Sequence, residues 1–161
     1  MKGASVFSGY YNDKEATSEA LTSDGYLRTG DLGFLHDGEL YITGRIKDLL
    51  IIHGHNLMPH ELEWIAEAAS GGGGAERCGA FSVPKGSEGE QAVLVVEVAD
   101  KNAEQLAGLG REIRSLIGRT LGLPLADLAF VKRGHIPKTT SGKVQRRELK
   151  RRYLEGKIER L

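Results

Sequence analysis

The chain has a single cysteine and no long apolar run. Cys78 has no second cysteine to pair with, so an internal disulfide is excluded and a reducing, cytoplasmic setting is expected. Cys78 also lies in an apolar, strand-like stretch, which predicts a buried thiol. No apolar segment approaches the roughly eighteen residues that a bilayer-spanning helix needs, and the N-terminus lacks a basic segment followed by an apolar one. Neither secretion nor membrane insertion is predicted.

The chain also lacks a net charge. It has 22 Lys plus Arg against 22 Asp plus Glu, and its basic stretches are not interleaved with aromatic residues, which argues against nucleic acid as a partner. The charge is unevenly distributed, because residues 132–160 contain 11 basic and three acidic side chains. This basic end favours a phosphate-bearing ligand or an acidic partner, although a solvated helix face has the same composition.

The first part of the chain predicts little regular structure. Residues 1–30 show no sustained hydrophobic periodicity, so neither a helix nor a strand is predicted there. Asp37 and Gly38 stand between apolar flanks within residues 34–42, which is a strong signal for a β-hairpin.

The remainder of the chain alternates between strand and helix patterns. The loop composition at 84–90 predicts an antiparallel hairpin between its two flanking strands. The predicted strands are 49–52, 78–83, 91–98 and 128–132, and the predicted helices run from Pro59 to the glycine run at 71–74, over 106–121 and over 144–155. The order βαββαβ, then a loop and a helix, predicts a small α+β domain with a mostly antiparallel sheet flanked by helices.

The segment 136–143 combines small polar residues with a terminal lysine. Thr139, Thr140, Ser141 and Gly142 are poor helix formers, so the segment is expected to be extended or turned, with Lys143 at a flexible tip. A lysine ammonium is a compact charge on a long stem, suited to a phosphate or carboxylate oxygen as negative charge develops. An exposed turn before a surface helix gives the same pattern.

Four segments in this order resemble the C-terminal motifs of adenylate-forming enzymes: 8–12, 26–33, 44–63 and 137–146. The family includes acyl-coenzyme A synthetases, nonribosomal-peptide adenylation domains, luciferases and fatty acyl-AMP ligases. The stretches 28–45, 53–59 and 153–156 are most similar to fatty acyl-AMP ligases. Since Met1 leads directly into Gly3 to Phe7 without a cap or linker, a fragment of a longer protein is expected.

The resemblance implies a reaction in two steps. A fatty acid and ATP, with Mg²⁺, give an acyl-adenylate and pyrophosphate, and the acyl group then passes to the phosphopantetheine thiol of an acyl carrier protein or a polyketide synthase carrier domain. It further implies that residues 1–46 are the tail of a large N-terminal adenylation domain, loosely ordered here. Residues 47–161 would be a mobile lid whose first partner is that N-terminal domain, which would hold most of the ATP and Mg²⁺ site.

The resemblance also assigns roles to five positions. Lys143 matches the catalytic lysine of adenylation, Asp31 the acid that binds the ribose hydroxyls, and Arg45 the arginine near ribose and phosphate. Lys47 matches the hinge between the two poses of the lid, and Gly54 matches the glycine that lines the pantetheine path. The residue types alone also fit a turn aspartate at 31, a surface charge at 45 and a turn glycine at 54.

At two positions the sequence differs from the motifs of these enzymes, and the differences leave other functions open. Ile51 stands where many coenzyme A ligases have lysine, and His55 stands where fatty acyl-AMP ligases often have arginine. A coenzyme A ligase lid is therefore the alternative, and a non-catalytic binding module with a basic tail is the alternative of another class. His53, His55 and His60 lack nearby cysteine or a carboxylate set, so no metal site is predicted.

Overall fold

The computed structural model describes residues 1–70, 75–86, 89–99 and 101–161. The chain divides into two compact units, Met1–Asp48 and Leu49–Leu161. The predicted boundary at residue 46 lies two residues before this division. The glycine run at 71–74 and part of the predicted loop at 84–90 lie outside the described residues.

The first unit contains a short helix and a β-hairpin. Helix α1 spans Lys14–Ala20 and begins after Asp13, whose Oδ1 accepts a hydrogen bond from the backbone N–H of Ala16 at 2.9 Å. This helix corrects the prediction that residues 1–30 hold no regular element; it buries no residue, so no hydrophobic periodicity marks it. Strands β1 (Asp31–His36) and β2 (Glu39–Arg45) pair antiparallel. Asp37 and Gly38 join them with φ angles of 49° and 82°, which confirms the predicted hairpin.

The second unit is a five-stranded sheet with helices. After a 3₁₀ turn at Ile46–Asp48 come β3 (Leu50–Ile52), β4 (His55–Leu57), α2 (Pro59–Ala69), β5 (Ala75–Pro84), β6 (Glu90–Val98), α3 (Ala103–Leu121), β7 (Leu125–Lys132) and α4 (Arg146–Leu154). The sheet is mixed: β3–β4 and β5–β6 are antiparallel, whereas β3–β6 and β6–β7 are parallel. The predicted α+β class is confirmed. Strand β4 was missed because it has only three residues.

Strand β6 separates two hydrophobic clusters. Its alternate residues point to opposite faces of the sheet: Leu94 and Val96 join the cluster that also contains α2 and α3, while Val93 and Val95 join the cluster that contains Leu149 of α4. The sheet therefore carries α2 and α3 on one face and α4 on the other. The predicted burial of the Cys78 thiol is confirmed, since the residue is 3% exposed.

The ends of the last helices follow from local chemistry. Helix α3 begins after Asn102, whose side chain accepts from the N–H of Gln105 at 2.9 Å, and it ends at Gly122 with φ 68°. Helix α4 starts two residues later than predicted, after the turn that contains Lys143. Among the described residues, no helix is long and apolar enough to cross a membrane.

Candidate functional site

Lys143 lies on the returning arm of a narrow hairpin. Lys138 and Val144 form an isolated antiparallel bridge that closes the loop. Inside it, the N–H of Thr139 donates to the carbonyl of Lys143 at 2.9 Å, and the N–H of Lys143 donates to Oγ1 of Thr139 at 3.1 Å. The tip is Thr140 to Gly142, where Gly142 has a φ of 84°. The expectation that Lys143 lies at a flexible tip is thus wrong in its placement: both its backbone groups are hydrogen-bonded, and only the side chain is free to extend from the exposed residue.

The first arm of this hairpin is anchored by a buried carboxylate. The backbone N–H of Ile136 donates to Oε1 of Glu97 at 2.7 Å. Glu97 lies on β6 and is 2% exposed, and the Ile136 side chain is buried in the cluster beside α4. Hydrogen bonds to a buried carboxylate are charge-assisted and stronger than neutral ones. Position 136 is therefore tied to the centre of the sheet.

The second arm is anchored by another buried carboxylate. Arg146, the first residue of α4, donates from Nε to Oε1 of Glu63 at 2.8 Å and from Nη2 to Oε2 at 2.6 Å. The N–H of Ala80 on β5 also donates to Oε1 of Glu63, at 2.9 Å. Glu63 lies on α2 and is 7% exposed. This pair is not predictable from the sequence, because 83 positions separate its members and no local pattern links them.

Helix α4 sits close to β5 at a glycine. A Cβ added to Gly79 would collide with Cδ2 of Leu149 and would lie 3.4 Å from Cγ1 of Val144. Leu149 is fully buried and Val144 packs against the same cluster. The absence of a side chain at position 79 thus permits the close approach of α4 and of the arm that carries Lys143.

The first unit brings Asp31 and Arg45 together. They are directly paired positions at the open end of the β1–β2 hairpin. Nε of Arg45 donates to Oδ1 of Asp31 at 3.1 Å, and the two side chains are 70% and 30% exposed. The ion pair orients the carboxylate while leaving it accessible. An accessible carboxylate has two acceptor oxygens, so the pair fits a ligand that presents hydroxyl donors, with the guanidinium available to an anion.

Lys47 and Gly54 occupy distinct backbone settings. Lys47 is the exposed middle residue of the 3₁₀ turn Ile46–Asp48, directly before the division between the two units. Gly54 follows His53 in the two-residue turn between β3 and β4, where φ is 49° at His53 and 80° at Gly54. The turn itself explains the glycine, because a Cβ there would meet nothing within 4 Å. A role in the pantetheine path stays a prediction.

Much of the basic surplus near the C-terminus is used in ion pairs. Arg151 and Arg152 both bind Glu148 at 2.8 Å, and Arg160 binds Asp127. Hydrogen bonds from Arg151, then from Arg152, lower the pKa of Glu148 to about 2. Within the described parts of the chain, Lys143 takes part in no ion pair. Its charge is thus available to a ligand.

No metal cluster is formed by the described residues. They bring together no group of three or more His, Cys, Asp and Glu side chains able to hold an ion. The His60 ring packs instead against Trp64, with ring centroids 4.5 Å apart.

No protein-family model matches the chain, but curated relatives match nearly all of it. A putative acyl-CoA synthetase of Caulobacter vibrioides is 39% identical over 155 residues, which cover 96% of this chain and 27% of the relative. The long-chain-fatty-acid–AMP ligase FadD28 of Mycobacterium tuberculosis is 39% identical over 158 residues, which cover 94% of this chain and 27% of the relative. The chain is therefore similar, over nearly its whole length, to the C-terminal part of the adenylate-forming ligases.

Solved structures of adenylate-forming enzymes share the fold. The complex of the McyG adenylation and carrier domains with phenylalanyl-adenylate matches with a TM-score of 0.79 and 36% identity, over 96% of this chain and 28% of that one. A structure from work on fatty acyl-adenylate ligases of E. coli and L. pneumophila matches with a TM-score of 0.73 and 34% identity, over 96% of this chain and 27% of that one. ATP-bound MatB of Rhodopseudomonas palustris matches with a TM-score of 0.78 and 29% identity, over 97% of this chain and 30% of that one.

The chain spans only about 27–30% of the relatives' length, and corresponds to the C-terminal part of the adenylate-forming ligases. The resemblance drawn from the motifs is confirmed at the level of the family. Sequence identity does not distinguish an acyl-CoA synthetase from an AMP ligase, because the relatives with these two names are equally similar to the chain.

Proposed function

We propose that this chain is the mobile C-terminal lid of a fatty acyl-AMP ligase, and that Lys143 is its catalytic residue. The observation that carries the proposal is the Lys143 hairpin: a backbone held by hydrogen bonds presents the exposed ammonium of Lys143, which has no ion-pair partner within the described residues. The similarity to FadD28 and to fatty acyl-adenylate ligases supports the assignment.

In the proposed first half-reaction, ATP supplies the activated α-phosphate. A carboxylate oxygen of the fatty acid forms a bond to the α-phosphorus, and the bond from that phosphorus to the bridging oxygen breaks, releasing pyrophosphate. The Lys143 ammonium stabilises the negative charge that develops on the phosphate oxygens and holds the attacking carboxylate. Its rigid backbone reduces the freedom that is lost when the side chain reaches the reacting atoms.

The roles proposed for Asp31 and Arg45 follow from their ion pair. The Asp31 carboxylate accepts hydrogen bonds from the two ribose hydroxyls, and Arg45 orients it while facing the phosphate side of the nucleotide. In this role the two residues bind the nucleotide equally in the ground state and in the transition state of adenylation. Their loss is therefore expected to raise the KM for ATP more than it lowers kcat.

In the proposed second half-reaction, the acyl group moves to the phosphopantetheine thiol of an acyl carrier protein. Lys47 lies at the hinge that changes the pose of the lid between the two steps, and Gly54 lines the path of the pantetheine arm. The thiol loses its proton to solvent, its sulfur forms a bond to the acyl carbon, and AMP leaves with the electron pair of the broken carbon–oxygen bond. The parent enzyme is proposed to act in the cytoplasm.

The test is Lys143→Ala in the full-length enzyme, with each half-reaction measured separately. Pyrophosphate exchange, which reports adenylation, should fall by about two to three orders of magnitude, in line with the loss of one preorganised charge. Single-turnover transfer from supplied acyl-adenylate should change far less. Lys138→Ala removes the same charge from the opposite arm of the hairpin and serves as the matched control. Equal losses in both half-reactions of Lys143→Ala would contradict the proposal.

A coenzyme A ligase lid is the second candidate, favoured by the 39% identity to a putative acyl-CoA synthetase. The two candidates differ in the acceptor thiol. The full-length enzyme should accumulate acyl-adenylate when coenzyme A is the only thiol supplied, and should acylate an added carrier protein. Rapid formation of acyl-coenzyme A would favour the second candidate instead.

A further inference from the structure

We propose that the partly buried Glu63–Arg146 ion pair is a positioning device that sets the orientation of Lys143 for adenylation. This inference rests on the proposed role of Lys143. It adds two residues, on α2 and at the start of α4, that touch no substrate themselves.

The geometry gives Glu63 a central place. Its two oxygens accept three hydrogen bonds, two from the Arg146 guanidinium at 2.8 and 2.6 Å and one from the N–H of Ala80 at 2.9 Å. The side chains of Glu63 and Arg146 are 9% and 29% exposed. One carboxylate thus joins α2, β5 and the first residue of α4, and the fork geometry fixes direction as well as distance.

Helix stability alone does not explain an arginine at this position. Arg146 is the first residue of α4, where the helix dipole disfavours a positive charge. Gln145 provides no side-chain cap in its place. A largely buried ion pair is also a weak source of net stability compared with apolar packing, because its charges lose much of their hydration. The arrangement is better suited to specifying one conformation than to stabilising the fold.

The pair is coupled to Lys143 through the constrained backbone of the two intervening residues, Val144 and Gln145. The N–H of Gln145 donates to the carbonyl of Pro137 at 2.9 Å, and Val144 packs in the cluster with Leu149. The carbonyl of Lys143 in turn accepts from Thr139. A rotation of the first turn of α4 therefore moves the arm that carries Lys143, because Val144 and Gln145 are held too firmly to change conformation independently.

The decisive experiment is a double-mutant cycle in the full-length enzyme. Arg146→Lys keeps the charge but removes the two-pronged contact. We expect it to lower kcat for pyrophosphate exchange by about ten- to a hundredfold, the effect of a misplacement of about 1 Å, with little change in the KM for ATP. Transfer from supplied acyl-adenylate should be nearly unchanged. In the Lys143→Ala background, Arg146→Lys should have no further effect on adenylation, because its action passes through Lys143.

Two further variants make the result interpretable. Arg151→Lys is the matched control, because it is the same substitution on the same helix. The partners of Arg151 are Glu148 on that helix and Glu155 directly after its end. This variant should leave the rates of both half-reactions within about twofold of those of the original enzyme. Glu63→Asp withdraws the carboxylate while keeping its charge. It replaces Arg146→Lys if that protein does not fold. Adenylation should again be slowed, and transfer from supplied acyl-adenylate should again be nearly unchanged.

The outcomes separate this inference from the proposed function. If Lys143→Ala lowers adenylation but Arg146→Lys behaves like Arg151→Lys, or still lowers adenylation in the Lys143→Ala background, the positioning role is overturned and Lys143 keeps its role. Equal losses in both half-reactions of Arg146→Lys would show a structural role only and would also overturn it. If Lys143→Ala leaves adenylation unchanged, both proposals fail.

Discussion

Replacing Gly79 by alanine should destabilise the chain, although alanine suits a strand better than glycine does. The added Cβ would collide with Cδ2 of Leu149 and approach Cγ1 of Val144 to 3.4 Å and Cγ2 of Ile136 to 3.9 Å. Leu149 is fully buried, so its side chain has no solvent-filled space into which to move. Helix α4 must therefore shift away from β5, or Leu149 must adopt a strained rotamer.

The magnitude follows from two opposing terms. Overpacking a closed core costs about 1–3 kcal/mol. Replacing glycine by alanine recovers about 0.4–1 kcal/mol, because the unfolded chain has fewer conformations to lose. The free energy of unfolding should fall by about 1–2 kcal/mol. For a chain of this size, about 2–4 °C is lost per kcal/mol, so the midpoint of thermal unfolding should decrease by roughly 2–8 °C.

Gly118→Ala is the matched control, because it makes the same chemical change without the contact. Gly118 lies in α3, is exposed, and a Cβ there would meet nothing within 4 Å. Alanine in a helix interior is favoured over glycine by about 0.5–1 kcal/mol, so this variant should unfold at a higher temperature. Thermal unfolding of the two variants, followed by circular dichroism on the purified chain, should give shifts of opposite sign.

The outcome that would refute the packing argument is a Gly79→Ala variant as stable as the original chain or more stable. The cause is checked by adding Leu149→Ala, which removes the colliding atom. Leu149→Ala alone should cost about 2–5 kcal/mol through the cavity it leaves. The Gly79→Ala substitution should then be less harmful in that background than in the original, since the new methyl group enters the vacated space.

Two predictions concern ionisable groups. Burial, and then the nearby charges of Glu67, Glu63 and Glu97, raise the pKa of the Cys78 thiol to about 12. The thiol of the folded chain should therefore resist maleimide labelling at pH 7 and should react after the chain is unfolded in urea. Rapid labelling without urea would contradict this burial. Burial alone would raise the pKa of Asp127, but hydrogen bonds from Arg160 and Tyr153 hold it below its ordinary value. A lowered folded-state pKa contributes stability above the unfolded value of about 3.9 that is lost as the pH falls through the folded-state pKa. The urea midpoints of the original chain and Asp127→Asn should thus differ most near neutral pH and converge below about pH 4, whereas a gap that stays constant with pH would count against the ionised pairing.

The local patterns predicted most elements of this fold. Asp37 and Gly38 specify a hairpin turn by their backbone preferences alone, and the apolar spacing along 106–121 specifies α3, because both signals lie within a few neighbouring residues. Strand β4 escaped notice since its three residues gain their strand conformation by pairing with β3. The turn at His53 and Gly54 was the available signal, as a glycine after a polar residue between apolar flanks favours a two-residue hairpin.

The candidate site was predictable only in part. The motif containing Lys143 is contiguous, so its residue types and order were sufficient to single it out. The buried carboxylates that hold its two arms were not predictable: Glu63 and Glu97 are in a helix and a strand where a charged residue ordinarily faces solvent. Only the packing of α2, β5, β6 and α4 brings them to the loop, and that packing depends on contacts between distant parts of the sequence.

The Glu63–Arg146 pair has a consequence for recombination between related ligases. A chimera whose crossover falls between α2 and α4 takes one member of the pair from each parent, although 83 positions separate them. Exchange of the terminal segment alone therefore brings in Arg146 of one parent and leaves Glu63 of the other, so that neither residue keeps its original partner. Grafts that begin ahead of α2 keep the two together and should yield working hybrids more often.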